Sequence, residues 1–211
     1  LYNYKLTPLE KWIKDFYLQL EITEPYQLDM NDIAAKLNIW IYFENMSSRA
    51  IERKGLASII VDNRLSVAEQ LEDFGHEMAH ILRQSGNQML LPESFVQFQE
   101  VKADNFALEF CIPTFMLLNF SLPQSKLAAI KYISDTFNVT LEFAKKKLAK
   151  IERNLLQSKL DEQFQSMIEY EYTLKKRYQA DFTEVRENKV YFYQKGAGIK
   201  NILTIKEEAK C

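Results

Sequence analysis

Between Ser66 and Ile81 two patterns run along one segment, and together they leave little choice of local structure. Val67, Leu71, Phe74, Met78 and Ile81 recur at steps of four and three, the period of a helix with one apolar face. Ser66 and Glu69 stand three apart at the head of that run, as a capping box requires. The second pattern is His76-Glu77-Met78-Ala79-His80, which holds both histidines of the chain. Residues four apart share a helix face, so the two imidazoles reach toward one point. At about 100° per residue they lie roughly 200° from Phe74 and Met78, away from the core stripe.

Two imidazoles at this spacing, with a glutamate directly after the first, form the HExxH pattern: His76 and His80 hold a metal ion, and Glu77 takes the proton of the attacking water. A catalytic zinc takes three protein ligands and keeps one position open, so a third donor must come from elsewhere. Glu100 is the best carboxylate because it lies on the next predicted helix, about twenty residues on, which can fold back beside the first. Glu93, in the first turn of that helix, and Glu109, in apolar surroundings, stay in reserve. Two histidines and a glutamate suit Zn2+ and also accept Mn2+. The metal would activate water and polarise a carbonyl while Glu77 passes the proton to the leaving amine, which is amide hydrolysis. No third histidine remains to stabilise an oxyanion; Tyr191 and Tyr193 are candidates, and neither is assigned.

The arrangement resembles that of the thermolysin-like gluzincins, where the third ligand opens a Glu-x-x-x-Asp pattern and the Asp orients a ligand histidine. Glu100-Val101-Lys102-Ala103-Asp104 matches that pattern, and the resemblance implies an outer role for Asp104. A ligand imidazole needs its second ring nitrogen anchored to keep tautomer and orientation.

Around this segment the chain alternates strand and helix signals. Thr7-Pro8-Leu9-Glu10 caps a first helix running to about Leu20, and Asn31 to Lys36 reads as a short second one. Ile39 to Phe43 and Gly55 to Asp62 are rich in β-formers and predict a small sheet, with Asn45 to Arg53 as a polar connection. The Gly55 to Asp62 strand is read either as an edge for an extended substrate or as a plain structural strand. Pro92-Glu93 opens a helix expected to last until Pro113. Beyond Pro123 come amphipathic stretches Ser125 to Phe137 and Thr140 to Leu156, a charged region to Glu187, and a β-hairpin of Lys189 to Tyr193 and Ile199 to Ile205. The expected organisation is α+β: a catalytic domain in residues 1–122, its small sheet packed on the HExxH helix and the Glu-bearing helix. A mainly helical region, 123–211, follows and carries substrate recognition.

Together these residues identify the chain as similar to the ImmA/IrrE family of bacterial metallopeptidases, and the catalytic domain as zincin-like. The likeness runs from Gly55-Leu56-Ala57-Ser58-Ile59-Ile60-Val61-Asp62 through Phe74-Gly75-His76-Glu77-Met78-Ala79-His80 to Glu100-Val101-Lys102-Ala103-Asp104-Asn105-Phe106-Ala107 and Pro113, within residues 28 to 118. HExxH alone is common to many zinc peptidases; its pairing with Glu-x-x-Ala-x-x-Phe-Ala at this distance is far more specific. The resemblance implies a cytoplasmic anti-repressor from a phage or mobile element, a protease that inactivates a helix-turn-helix repressor by one cut. Ala79 stands where many relatives have Gly, and Asp104 where many have Asn; neither change removes a proposed ligand.

Bulk properties narrow the alternatives. A formal charge of -2 gives no global attraction to nucleic acid or membrane. The apolar stretch Phe106 to Phe120 is broken by Glu109 and Pro113 and is too short to span a bilayer. Cys111 and Cys211 form no disulfide framework, which fits a reducing cytoplasm, and the N-terminal residues lack the pattern of a secretory signal. The basic excess between Lys126 and Lys159 offers a surface for an acidic partner or DNA, but reads more readily as a solvated helix face. Direct DNA binding is disfavoured because the second of these helices has few base-reading side chains. The alternative from another class is a regulatory module that binds a partner protein or DNA and keeps the metal for structure only. Oligomeric state is open at this level.

Overall fold

The computed structural model describes residues 4–53, 55–83 and 92–204. They divide into two compact units, Leu1–Leu155 and Leu156–Cys211. Among the described residues no helix is long and apolar enough to cross a membrane.

The first unit opens with α1 (Pro8–Gln19), whose capping box is formed: Glu10 N donates to Thr7 Oγ1 at 3.4 Å, and Thr7 N donates to Glu10 Oε2 at 2.6 Å. A short 3-10 turn at Pro25–Gln27 leads to α2 (Met30–Lys36), capped by Asp29. Three strands follow, β1 (Trp40–Glu44), β2 (Arg49–Arg53) and β3 (Leu56–Asp62). Their order is β1-β3-β2, with β1 parallel and β2 antiparallel to β3. β2 occupies the stretch read as a polar connection. Three of its five residues are charged and it lacks an apolar alternation, so only the ladder to β3 marks it as a strand. Because β3 is paired along both sides, it cannot supply an edge. In the order β1-β3-β2 the edges are β1 and β2.

The helix α3 (Val67–Arg83) begins at the expected capping box, with Glu69 N donating to Ser66 Oγ and Ser66 N to Glu69 Oε2. It packs on β3 and β2 and against α4 (Glu93–Cys111). The helix α4 ends two residues before Pro113, and a single turn, α5 (Thr114–Leu117), starts after it, as expected where a proline removes an amide donor. Then come α6 (Lys126–Phe137), closed by Asn138 in the left-handed conformation at φ 51°, and α7 (Leu141–Arg177).

One core joins these elements. Ile13, Phe16 and Tyr17 of α1, Leu71, Phe74 and Met78 of α3, and Phe106 and Phe110 of α4 meet Ile59 and Val61 of β3. Ile130, Ile133 and Phe137 of α6 and Ala144, Leu148 and Ile151 of α7 belong to the same cluster. The first unit therefore passes the boundary expected at 122/123 and ends at Leu155, because the helices after Pro123 bury their apolar faces against the layer of α1, α3, α4 and β3. Two cations of this stretch leave the solvated face, while Lys126 and Lys131 stay exposed. Lys147 is fully buried on Glu109, Lys150 reaches the same carboxylate, and Lys126 and Lys131 pair with Glu152 and Asp135.

The second unit contains the C-terminal half of α7 and an antiparallel meander of β4 (Phe182–Arg186), β5 (Lys189–Gln194) and β6 (Gly198–Thr204). The expected hairpin is β5-β6, as far as its residues are described; β4 and the helix up to Arg177 replace the expected charged stretch. Strong helix formers and pairs such as Gln157–Asp161 and Glu171–Lys175 carry α7 through that stretch. Phe192 is buried in this unit, with its ring 4.9 Å from that of Tyr178.

Candidate metal centre

The site is built where α3 and α4 pack against each other. On α3 the buried positions include Gly75 and Ala79; on α4 they include Ala103 and Ala107. A Cβ placed on Gly75 would lie 2.5 Å from Cys111 Sγ and 3.6 Å from the Ala107 backbone, so glycine is what this helix crossing admits. Cys111 also donates through its thiol to the Leu71 carbonyl, locking the same contact one turn away. The close approach places Glu100 of α4 beside both histidines of α3.

His76 Nε2 and His80 Nε2 stand 3.2 Å apart. Glu100 Oε2 lies 3.1 Å from His76 Nε2, and Glu100 Oε1 lies 3.8 Å from His80 Nε2. One donor atom from each of the three residues falls within 4.8 Å of the other two. Zinc bonds of about 2.0–2.2 Å in a tetrahedron separate neighbouring donors by roughly 3.3 Å, so the three residues fit a zinc ion in both type and spacing. On the far side of the ring, Asp104 Oδ1 lies 3.0 Å from His76 Nδ1. That contact favours the tautomer with its proton on Nδ1 and a lone pair on Nε2, as a metal ligand requires. The imidazoles are mostly buried while Asp104 is exposed, so the anchor reaches in from the surface.

Glu77 lies on the neighbouring face of α3, toward the sheet. The backbone N–H of Ala50, on β2, donates to Glu77 Oε2 at 2.6 Å. Burial pushes the Glu77 carboxyl above its ordinary pKa, an effect only partly opposed by His80, by the Ala50 N–H and by His76. One turn earlier on α3, Asp73 Oδ2 accepts the Ser48 hydroxyl at 2.6 Å, and Ser48 Oγ accepts Asp62 N at 3.0 Å. This chain of contacts ties the start of β2 and the end of β3 to α3, and so sets β2 alongside Glu77.

The reserve carboxylates lie elsewhere. Glu93 sits at the exposed start of α4 and accepts from Gln97. Glu109 is fully buried, bound by Lys147, Lys150 and Thr114. Tyr191 and Tyr193 are on β5 of the second unit, where the Arg186 guanidinium lies over the Tyr191 ring.

Beside His76 and Asp104 opens a cavity of about 370 Å³, lined also by Glu72, Asp73, Ala107, Leu108, Phe143 and Lys146. Thr140 N donates to Glu72 at 2.6 Å and holds the start of α7 against α3. The sequence carries no signal for Phe143, Lys146 or Ser48, which reach the site only through packing. Gly75 does carry one, as a glycine in mid-helix next to a proposed ligand.

The IrrE N-terminal-like domain of peptidase family M78 matches residues 34–149, which contain every residue of the constellation above. Phage-like element PBSX protein XkdA of Bacillus subtilis (strain 168) is 42% identical over 165 residues, covering 78% of this chain and 81% of XkdA. The uncharacterized protein YqaB of the same organism is 37% identical over 155 residues, covering 74% of this chain and 90% of YqaB. Among solved structures, a Mycobacterium tuberculosis transcriptional regulator aligns over 66% of this chain and 46% of its own length, with a TM-score of 0.47 and 12% identity.

Proposed function

The chain belongs to the IrrE N-terminal-like peptidase family M78, and on that premise we propose that it is a zinc-dependent, site-specific endopeptidase that cleaves a helix-turn-helix transcriptional repressor. The observation that carries the reading is the convergence of His76 Nε2, His80 Nε2 and Glu100 on one point, with Glu77 one residue along the same helix.

In this reading His76, His80 and Glu100 hold the metal, which supplies a Lewis acid that activates water and polarises the scissile carbonyl. Glu77 accepts the water proton on its carboxylate and delivers it to the departing amine. Its raised pKa, caused first by burial, makes it a stronger base than an ordinary carboxylate for taking that proton. Asp104 keeps the His76 ring in its ligating tautomer. The backbone of β2 is available to an extended substrate as an added strand, and Ala50 N–H marks the edge that faces Glu77. The cavity beside His76 has room for one substrate side chain.

The relative from a phage-like element supports an anti-repressor role in the cytoplasm, where a DNA-bound repressor is found. We assign target selection to residues 156–211 and to the helices after Pro123, and amide hydrolysis to the α3–α4 pair. The test is incubation of the zinc-loaded chain with any small helix-turn-helix protein found to be encoded beside its gene. The expected result is a single cut found by mass spectrometry, lost in Glu77→Gln with the metal retained. If Glu77→Gln instead still relieves repression while cutting nothing, the chain acts as a binding module and the peptidase reading fails.

A further inference from the structure

We propose that α7 pairs antiparallel with α7 of a second copy of this chain, through a face centred near residue 162. Up to Ile151 the inward-facing apolar side chains of this helix, Ala144, Leu148 and Ile151, are buried in the first unit's core. Beyond it Leu156, Leu160, Phe164 and Ile168 follow at steps of four and remain 59%, 50%, 60% and 44% exposed. A helix in water draws most of its stability from packing of such a face, and a contiguous exposed stripe of large apolar side chains marks a contact surface.

The pattern at the ends of the stripe selects the occupant. Arg153 stands three residues before Leu156, and Glu171 three residues after Ile168. The steps from Arg153 to Glu171 are therefore three, four, four, four and three, a series that reads the same in both directions, with a cation at one end and an anion at the other. At about 100° per residue Arg153 and Glu171 point the same way, because eighteen residues make five full turns. Reversing the helix about residue 162 sets Leu156 opposite Ile168, Leu160 opposite Phe164, and Arg153 opposite Glu171 at both ends. A parallel pairing would set Arg153 against Arg153. Glu171 is already oriented, since its Oε1 accepts from Lys175 at 2.7 Å and from the Thr183 hydroxyl at 2.8 Å, and a carboxylate has further lone pairs to offer. A lipid surface would call for cations along the stripe, whereas this stretch carries Asp161, Glu162 and Glu169 against Lys159.

A two-helix contact about 27 Å long buries on the order of 1,000 Å² in total, small for a specific interface, so association belongs in the micromolar range. Sedimentation equilibrium of the full chain should show mass rising from monomer to dimer by about 100 µM. Phe164→Asp and, independently, Leu160→Asp should abolish the rise while circular dichroism keeps its helical signal. Arg153→Glu should weaken association on the order of tenfold, and the double exchange Arg153→Glu/Glu171→Arg should restore it. A chain that stays monomeric at the highest concentration overturns the proposal. So does a dimer indifferent to both apartate substitutions, or one that the double charge exchange fails to restore.

Discussion

Replacing Lys147 with methionine tests whether the catalytic layer depends on the helices behind it. Lys147 Nζ donates to Glu109 Oε2 at 2.5 Å and to Thr114 Oγ1 at 2.8 Å, and neither charged side chain has any exposed surface. Removing one partner of such a pair costs about 3–5 kcal/mol, because the other charge stays buried without compensation. Here Lys150 remains 3.1 Å from Glu109 and Thr114 still donates a hydrogen bond, so the lower end, about 3 kcal/mol, is expected. With a urea m-value of about 2 kcal/mol/M, that lowers the midpoint by roughly 1.5 M. Both tryptophans, Trp12 and Trp40, lie in the first unit, so indole fluorescence reports its unfolding. Lys147→Met/Glu109→Met should recover at least half of the loss, since it removes both charges and leaves Thr114 bonded to Glu10 at 2.8 Å. The pH dependence has a definite sign. Burial alone would raise the Glu109 carboxyl, but the charges of Lys147 and Lys150 and the hydrogen bonds from Lys147 and Thr114 outweigh it and hold the carboxyl below its ordinary 4.5. A depressed folded value adds stability that is present above 4.5 and lost as pH falls through the folded value. Without Lys147 burial gains weight, the folded value moves up, and the penalty of Lys147→Met should shrink as the pH is lowered from 7.5 toward 5. A midpoint change equivalent to less than 1 kcal/mol, or a double variant as unstable as the two singles combined, would refute the reasoning.

Three further outcomes follow from the site. Glu100→Ala should weaken zinc binding far more than Glu93→Ala, and Asp104→Ala should fall between them at about 10- to 100-fold, as measured by chelator competition; equal affinity for wild type and Glu100→Ala would remove Glu100 from the ligand set. Gly75→Ala should destabilise the first unit by about 1–3 kcal/mol and weaken zinc binding with it, since the added methyl meets Cys111 Sγ and pushes α4 away from the histidines; unchanged urea midpoint and zinc affinity would show that the crossing is not held this tightly. A chain ending near residue 122 should fail to fold and bind no zinc, having lost Ile133, Phe137, Leu148 and Lys147 from the core, whereas one ending shortly after Leu155 should bind one zinc per chain; elemental analysis of both pieces decides.

Much of the centre was legible before any tertiary structure. His76, Glu77 and His80 lie within five residues of one helix, so their geometry follows from the helical repeat alone, and the capping boxes at Thr7 and Ser66 locate helix starts by local hydrogen bonds. The pairing of Glu100 with Asp104 was legible for the same reason, as two positions one turn apart on one helix face. Packing decided the rest. Whether Glu100 reaches the histidines depends on how closely α4 approaches α3, which Gly75, Ala103 and Ala107 set by having so little side chain. A strand such as β2 has no apolar face of its own and exists only as the partner of β3, so neither its presence nor its edge position is written in residues 49–53. Lys147 reads as one more cation in a basic helix, and only the fold places Glu109 opposite it, 38 positions away in sequence, where removal from water turns a solvated charge into half of a core ion pair. Periodicity and short-range hydrogen bonds are properties of a few neighbouring residues and survive in the sequence. Distances between elements depend on the volume of every side chain packed between them, and those are settled only when the core closes.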